Sequence, residues 1–167
     1  MGVIDRGERS GWVETALGPL RVVWTARGVV AAGWDPDPID VTADGRCPWA
    51  EQLARMARGD RSAPVPVDVS GTVFQRRVWA SLCAIPSGET RSYTALAEEI
   101  GLTHGARAVA TACASNPVAL AIPCHRVVGS DGALRGYRWG LARKAALLRS
   151  EGVRWVGAPT LFPFAEA

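Results

Sequence analysis

The second half of the chain consists of short helical segments separated by glycine, proline and hydroxyl residues. After Thr72, a residue type that caps helices, apolar residues recur at positions 74, 78 and 82 and predict a helix from Val73 to Cys83. The same signals predict helices over residues 92–100, 103–114 and 141–151. Because segments this short bury their apolar faces only by packing together, we expect a mainly helical domain here.

Two of these helices are joined by a turn that begins at Gly101 and leads to Thr103, the expected cap of the second helix. Such a pair is the pattern of a helix-turn-helix, whose second helix enters a groove of DNA. Helical hairpins also occur in ordinary cores, so DNA binding does not follow from this pattern alone. Residues 118–128, the Asp131–Gly132 turn and residues 134–137 are expected to form strands or a wing beside the helices.

The first seventy residues carry the signals of a small α/β unit. Apolar stretches at Leu20–Trp24 and Val29–Trp34 flank a glycine-containing turn and predict a β-hairpin, which the prolines of Asp35–Pro38 end. Residues 49–59 predict a helix, and the alternating residues 63–69 predict an edge strand or a linker. We therefore expect a small antiparallel sheet with a helix in this half.

The net charge also differs between the first seventy residues and the rest of the chain. Residues 1–70 carry 8 Arg against 10 Asp or Glu, a net charge of −2, whereas residues 71–167 carry 10 Arg and one Lys against 6 Asp or Glu, a net charge of +5. We expect an α/β scaffold domain at 1–70, a winged helix-turn-helix domain at 71–157 and a tail at 158–167. Any surface for nucleic acid should lie on the second domain.

The composition excludes several classes of protein. Hydrophobic residues form 48% of the chain, which is too many for a disordered protein. There are two histidines, no C-x-x-C pair and no apolar run near the roughly 18 residues of a membrane span. We therefore predict no metal, no cofactor and no membrane association. With a polar start to the chain, the four cysteines are expected to be reduced cytoplasmic thiols; they are Cys47, Cys83, Cys113 and Cys124.

Cys124 is the leading candidate for chemistry. It lies in the segment Ile122–Val128, where Pro123 and two valines predict a thiol fixed at a strand end or tight turn. Beside the imidazole of His125, a thiol can become the thiolate that acts as a nucleophile. An isolated cysteine is otherwise a small buried hydrophobe, and these residues alone leave both interpretations open.

Several motifs, in the same order and spacing, resemble those of the O6-alkylguanine-DNA alkyltransferase family. The run Ser115–Val128 resembles the active-site signature of that family. The other matching motifs are Phe74–Trp79, Ile85–Tyr93, Ala106–Ala110, Gly136–Gly140 and Lys144–Leu148. The resemblance is close over residues 71–152 and loose before them, and the form of Gly136–Gly140 is most similar to the alkyltransferase half of bacterial Ada-type members.

The resemblance implies direct repair of double-stranded DNA. The alkyl group of O6-alkylguanine, and of O4-alkylthymine, would move irreversibly to Cys124, once per molecule and without a cofactor. Because a base inside a duplex cannot reach a buried thiol, the damaged nucleotide would have to be flipped out. The implied protein is a bacterial, cytoplasmic, nucleoid-associated monomer, and cooperative binding on DNA remains open.

The resemblance also implies roles for individual residues. Cys124 would be the acceptor, with His125 as a base acting through a water and Glu151 orienting the histidine. Asn116 would bridge the recognition helix to the active-site segment, and Tyr93 would donate a proton toward the base. A carboxylate such as Glu151 at a helix C-terminus is disfavoured by the helix dipole, which favours a role beyond solvation.

Further residues would contact DNA or the extruded base. Arg107 would enter the base stack in place of the flipped nucleotide. The other implied DNA contacts are Tyr93, Ser92, Thr94, Ala106 and Ser130. The implied base pocket consists of Tyr137, Val127, Arg138 and Trp139. Since Trp139 stands where some members have a small residue, its ring is expected to narrow the pocket against benzyl-sized groups.

Three alternatives remain. An alkyltransferase-like protein would bind alkylated DNA without accepting the alkyl group, but such proteins lack the acceptor cysteine that stands here at Cys124. A winged-helix regulatory protein would carry Cys124 as a structural thiol, and alkylation by a methylated oligonucleotide would separate it from the enzyme. A Cys-His hydrolase would need a second feature, such as a nucleophile elbow, and the sequence has none.

Overall fold

The computed structural model describes residues 7–34 and 46–153. The predicted tail at 158–167 and the expected hairpin end at Asp35–Pro38 lie outside the described residues. The strands are β1 (Arg9–Val13), β2 (Leu20–Trp24), β3 (Val29–Gly33), β4 (Arg91–Ser92) and β5 (Val127–Val128). The helices are α1 (Ala50–Met56), α2 (Val73–Ala84), α3 (Tyr93–Glu99), α4 (Ala106–Ala114) and α5 (Leu141–Ser150), and a 3₁₀ turn covers Cys124–Arg126.

The N-terminal sheet is antiparallel with the order β1-β2-β3. Its β2–β3 hairpin confirms the prediction, whereas β1 is an addition that the polar and glycine-containing sequence Arg9–Val13 did not reveal. The predicted edge strand or linker at 63–69 makes one parallel bridge, between Val67 and Val29. The small antiparallel sheet and the helices that follow match the expected fold at this coarse level.

Two helices of the second half, α2 and α3, begin with a side-chain cap. The Thr72 hydroxyl accepts a hydrogen bond from the Gln75 N–H, and the Gln75 side-chain oxygen accepts one from the Thr72 N–H, so α2 begins with a capping box. Thr103 is not the cap of α4, which begins after Gly105 without a side-chain cap. A Cβ at position 105 would lie 2.6 Å from the Cβ of Leu102, so this position requires glycine. The helix begins after this glycine and not after Thr103.

The prediction of strands over 118–128 and 134–137 is largely wrong. Within 118–128 only a bridge between Val118 and Ala32 and the two-residue β5 have strand pairing, and residues 134–137 have none. In residues 118–128, hydrogen bonds of the buried Asn116 side chain with Val118 N–H and Ile122 O take the place of strand pairing. A wing built of strands is therefore not present in the described part of the chain.

One hydrophobic core contains residues from both halves of the chain. Val22 and Leu53 from the first half pack in the same cluster as Val78 and Leu147 from the second. The edge of β3 also contacts the segment before the candidate site, because the Ala32 N–H donates to Pro117 O and Ala32 O accepts from the Ala119 N–H. The sheet thus supports the approach to Cys124. In the described residues no helix combines the length and the apolar character needed to cross a bilayer.

Candidate active site

Cys124 begins the 3₁₀ turn and is buried, with 5% of its surface exposed. The amide of Asn116 donates to the Cys124 sulfur at 3.1 Å and to Ile122 O at 2.8 Å, and its carbonyl oxygen accepts from the Val118 N–H. One buried side chain therefore shapes the loop on either side of the turn and also contacts the thiol.

The Cys124 thiol is protonated in the resting site. Burial raises the pKa of Cys124 to about 11, although the Asn116 hydrogen bond and the charge of Lys144 act in the opposite direction. Because a thiolate is the stronger nucleophile, reaction at neutral pH requires a group that removes the proton as the sulfur attacks.

His125 and Glu151 form a buried pair behind the thiol. The His125 Nε2 lies 3.0 Å from Glu151 Oε1, and neither side chain is exposed to solvent. Burial acts to raise the pKa of Glu151, but hydrogen bonds from His125 and Arg126 outweigh it and keep that pKa well below its usual range. Since the carboxylate accepts, Nε2 carries the hydrogen and Nδ1 keeps its lone pair.

This tautomer makes His125 a possible base. Burial lowers the pKa of His125 to about 4, so the ring is neutral at neutral pH. Its Nδ1 is buried and has no hydrogen-bond partner among the described residues. The Cys124 sulfur bonds to Asn116 and makes no hydrogen bond to His125. An imidazole with a free lone pair thus directly follows the thiol in the chain, with no hydrogen bond between the two side chains.

Two arginines that the sequence interpretation did not assign complete this network. Arg126 donates through Nε to Glu151 Oε2 at 2.9 Å and through Nη2 to Oε1 at 2.8 Å. Arg61 donates to Glu151 Oε1 through Nε and Nη2, at 3.1 and 2.8 Å. Arg126 could have been suspected from its place beside His125, whereas no sequence signal connects Arg61 with a carboxylate 90 residues away.

Cys124 lines a cavity of about 840 Å³ beside α4. Half of the ten residues predicted to contact DNA or the base line the same cavity; they are Tyr93, Ala106, Arg107, Tyr137 and Arg138. The two tyrosines can act as hydrogen-bond donors, because burial raises the pKa of Tyr93 to about 12 and that of Tyr137 well above its usual value. The Tyr137 hydroxyl is buried without a partner among the described residues.

Val127 and Trp139, predicted as pocket residues, do not line this cavity. Val127 is fully buried in β5. The Trp139 ring packs edge-on against Trp34 at 6.2 Å and against Tyr137 at 5.3 Å between centroids, so it lies behind the wall. The predicted narrowing of the pocket by Trp139 therefore does not follow from its position, and the ring instead anchors the loop that carries Tyr137.

Lys144 supports the same loop and was not predicted as a site residue. It is fully buried, and its Nζ donates to Arg135 O at 2.8 Å and to Gly136 O at 3.3 Å. Burial lowers the pKa of Lys144 to about 8, which leaves it charged at neutral pH. The ammonium group holds two carbonyls of the cavity wall and adds positive charge near Cys124.

Three of the predicted DNA contacts lie together at the α3–α4 pair. Thr94, Ala106 and Arg107 line an open groove between these helices. The Ser92 hydroxyl accepts the Ala95 N–H as the cap of α3, and Ser130 is exposed in the turn after β5. Arg107 lies where the groove and the thiol cavity meet, since it lines both.

Comparison with known proteins agrees with this arrangement. Residues 73–153 match the model of the 6-O-methylguanine DNA methyltransferase, DNA binding domain. The methylated-DNA–protein-cysteine methyltransferase of Mycolicibacterium paratuberculosis is 47% identical over 150 residues, which cover 89% of this chain and 88% of that protein. The chain therefore belongs to the methylated-DNA–protein-cysteine methyltransferase family.

Solved structures and a second group of relatives extend the comparison. The crystal structure of Mycobacterium tuberculosis O6-methylguanine methyltransferase has a TM-score of 0.72 and 36% identity, covering 92% of this chain and 96% of that one. Mycobacterium tuberculosis OGT in complex with DNA has a TM-score of 0.74 and 36% identity, covering 86% and 91%. The regulatory protein ada of Salmonella typhimurium is 60% identical over 87 residues, 52% of this chain, but the match spans only 25% of the length of that relative.

Proposed function

We propose that the protein repairs DNA by transferring the alkyl group of O6-alkylguanine to the sulfur of Cys124. The observation that carries this proposal is the buried thiol at a cavity, with the neutral His125 and the ionised Glu151 behind it. The alkyl carbon forms a bond to Sγ as its bond to O6 breaks. The product thioether is not displaced easily, so each molecule acts once.

Protons balance within the site. The thiol hydrogen passes to His125 Nδ1 through one water, and Glu151 stabilises the resulting imidazolium through Nε2. Tyr93, which stays protonated because its pKa is raised to about 12 by burial, donates toward the departing base. Guanine then leaves neutral, no cofactor is needed, and the tyrosine recovers its proton from the histidine or solvent.

We further infer that α3 and α4 act as a helix-turn-helix on double-stranded DNA. Arg107 lines both the groove and the cavity, so it can occupy the space of a nucleotide that has been flipped toward Cys124. The net charge of +5 on residues 71–167 favours contact with phosphates. O4-alkylthymine is proposed as a second substrate. We also propose that the protein is a monomer. It would act on the bacterial chromosome and therefore in the cytoplasm.

Intact-protein mass after incubation with a duplex that contains O6-methylguanine tests this proposal. The wild type should gain one methyl group, about 14 daltons, and Cys124→Ala should gain none. Cys83→Ala is the matched control, because Cys83 is exposed and far more accessible than Cys124; this variant should gain the methyl group like the wild type. DNA binding without any mass gain would instead indicate a damage-sensing or regulatory protein.

A further inference from the structure

The N-terminal half contributes one charged side chain to the candidate site. Arg61 follows α1 in the chain, and only 16% of its side chain is exposed. Its Nε and Nη2 donate to Glu151 Oε1, while Nη1 donates to Leu120 O. Arg61 therefore joins the carboxylate of the His125–Glu151 pair to the loop that leads to Cys124.

The backbone before Arg61 is fixed against the end of α5. Gly59 has a φ of +87°, and a Cβ at this position would lie 2.2 Å from Ser150 O. The turn is closed by hydrogen bonds from the Gly59 N–H to Met56 O and from the Asp60 N–H to Arg55 O. The chain thus approaches the residue before Glu151 as closely as glycine permits, and Arg61 extends from a defined position.

Arg61 and His125 share one acceptor. Arg61 Nη2 lies 3.4 Å from His125 Nε2, and both contact Glu151 Oε1. A guanidinium at this distance disfavours an additional positive charge on the imidazole. It also occupies part of the carboxylate that would stabilise the imidazolium, so its presence affects how readily His125 holds a proton.

The surroundings of the pair leave few other groups that could have this effect. Among the described residues, the charged and titratable side chains that interact with the His125–Glu151 pair are Arg61, Arg126 and Tyr137, and Cys83 of α2 lies near the two arginines. Arg126 is bound to the other carboxylate oxygen as well and to Ile85 O. Arg61 is the member of this set that comes from the first seventy residues.

We propose that Arg61 is a positioning residue of the transfer site, through which the N-terminal half sets the orientation and proton affinity of His125. This inference deepens the proposed function and rests on it for the consequence in rate. Its effect on His125 can be measured without any DNA. The first half of the chain is then a part of the reactive site and more than a scaffold.

NMR titration of the histidine rings tests the inference directly, because the chain has two histidines and the exposed His104 serves as an internal reference. In the wild type the pKa of His125 should be about 4. In Arg61→Met the pKa of His125 should rise by about 1 or more. In Arg61→Lys it should rise by less, since the lysine ammonium keeps the positive charge but loses the paired N–H donors of the guanidinium. Arg55→Met is the matched control, because Arg55 pairs with Asp60 at the surface.

An unchanged His125 titration in Arg61→Met would overturn the inference. If circular dichroism shows that this variant does not fold, Arg61→Lys decides, and an unchanged His125 titration there has the same meaning. Single-turnover methyl transfer, measured from about pH 3.5 to about pH 7 so that the range includes the expected His125 pKa of about 4, adds the second readout. In Arg61→Met, the pH below which the rate falls should be about one unit higher than in the wild type. If the wild type transfers no methyl group, the proposed function is rejected, but the effect of Arg61 on the His125 titration is still tested.

Discussion

At the scale of single residues, the candidate site is a set of buried polar groups whose protonation is fixed by their neighbours. Burial keeps Cys124 a thiol and His125 neutral, while hydrogen bonds keep Glu151 ionised. The proposed nucleophile and its proposed base are thus both in their uncharged forms before reaction. Attack and proton transfer must occur together, since separate charges would be costly in this environment.

Removal of the Asn116 amide should affect both stability and reaction. Asn116→Ala leaves Val118 N–H and Ile122 O without their buried partner, and we expect a loss of about 2 to 4 kcal/mol in the free energy of unfolding. The thiolate also loses a donor, so methyl transfer should slow by about tenfold or more. Urea denaturation and single-turnover kinetics measure the two effects.

Thr111→Ala is the stability control for that variant. The Thr111 hydroxyl is exposed and bonds only to Arg107 O in its own helix, so the free energy of unfolding should change by less than about 0.5 kcal/mol. Equal losses in the two variants would mean that the buried amide has no special part in holding the loop.

Acid should destabilise the protein in two successive ranges. His125 has an ordinary pKa of 6.5 and a folded pKa of about 4, so between these values the unfolded chain binds the additional proton and stability falls as pH decreases. The loss should be on the order of 3 kcal/mol for a fully buried ring. Below about pH 4.5, protonation of Glu151 in the unfolded chain adds a further loss of the same sign.

Urea midpoints measured between pH 7 and pH 4 check this prediction. His104→Gln should retain the same pH dependence, because His104 is exposed. A stability that is constant from pH 7 to pH 4 would show that His125 is not the neutral buried ring described above.

Among the residues, the sequence predicts the reactive thiol and its neighbours but not the buried charges of Arg61 and Lys144. Cys124 and His125 were predicted from the adjacent thiol and imidazole, and Glu151 was predicted from the family resemblance. Arg61 and Lys144 were not, because an isolated Arg or Lys ordinarily lies on a solvated surface. Only the tertiary structure brings them to a carboxylate and to two backbone carbonyls.

At the scale of elements, helices with strong capping signals were predictable and irregular segments were not. The start of α2 at Val73 follows from Thr72 and Gln75, which are local signals. The apolar β-branched residues of the loop before Cys124 predict a strand, because such residues favour that state. The actual conformation of this loop, which includes a positive φ at Leu120, is stabilised by the neighbouring side chain of Asn116 and by Arg61, which is 59 residues away in the sequence.

The turn before Arg61 offers an element-level prediction. Gly59→Ala places a Cβ against Ser150 O in a backbone with positive φ, and we expect a loss of about 2 kcal/mol or more in the free energy of unfolding. Gly152→Ala is matched in conformation, with a φ of +82° and nothing within 4 Å of the added Cβ, so it should cost only about 1 kcal/mol.

Thermal or chemical denaturation of both glycine variants measures the difference between them. A larger loss at Gly59 would reflect the close approach of the N-terminal turn to α5. Equal losses would indicate that the turn can move away, and the position of Arg61 beside Glu151 would then not be fixed by the backbone.

At the scale of the whole molecule, the two halves of the chain meet at the site. The core is continuous, β3 is hydrogen-bonded to the segment before Cys124, and Arg61 reaches Glu151. The boundary at residues 70–72 remains a prediction, because a boundary in sequence does not require separate cores. The charge asymmetry between the halves is consistent with DNA approaching the second half, where Arg107 and the cavity lie.

The location of a deuterated methyl group among the four cysteines tests the central claim most directly. The protein is incubated with an excess of duplex carrying O6-(trideuteromethyl)guanine, digested, and analysed by peptide mass spectrometry. We predict one label per chain, on Cys124, with no further uptake however much substrate remains. Label on Cys47, Cys83 or Cys113, or on no cysteine at all, would contradict the assignment of Cys124 as the acceptor.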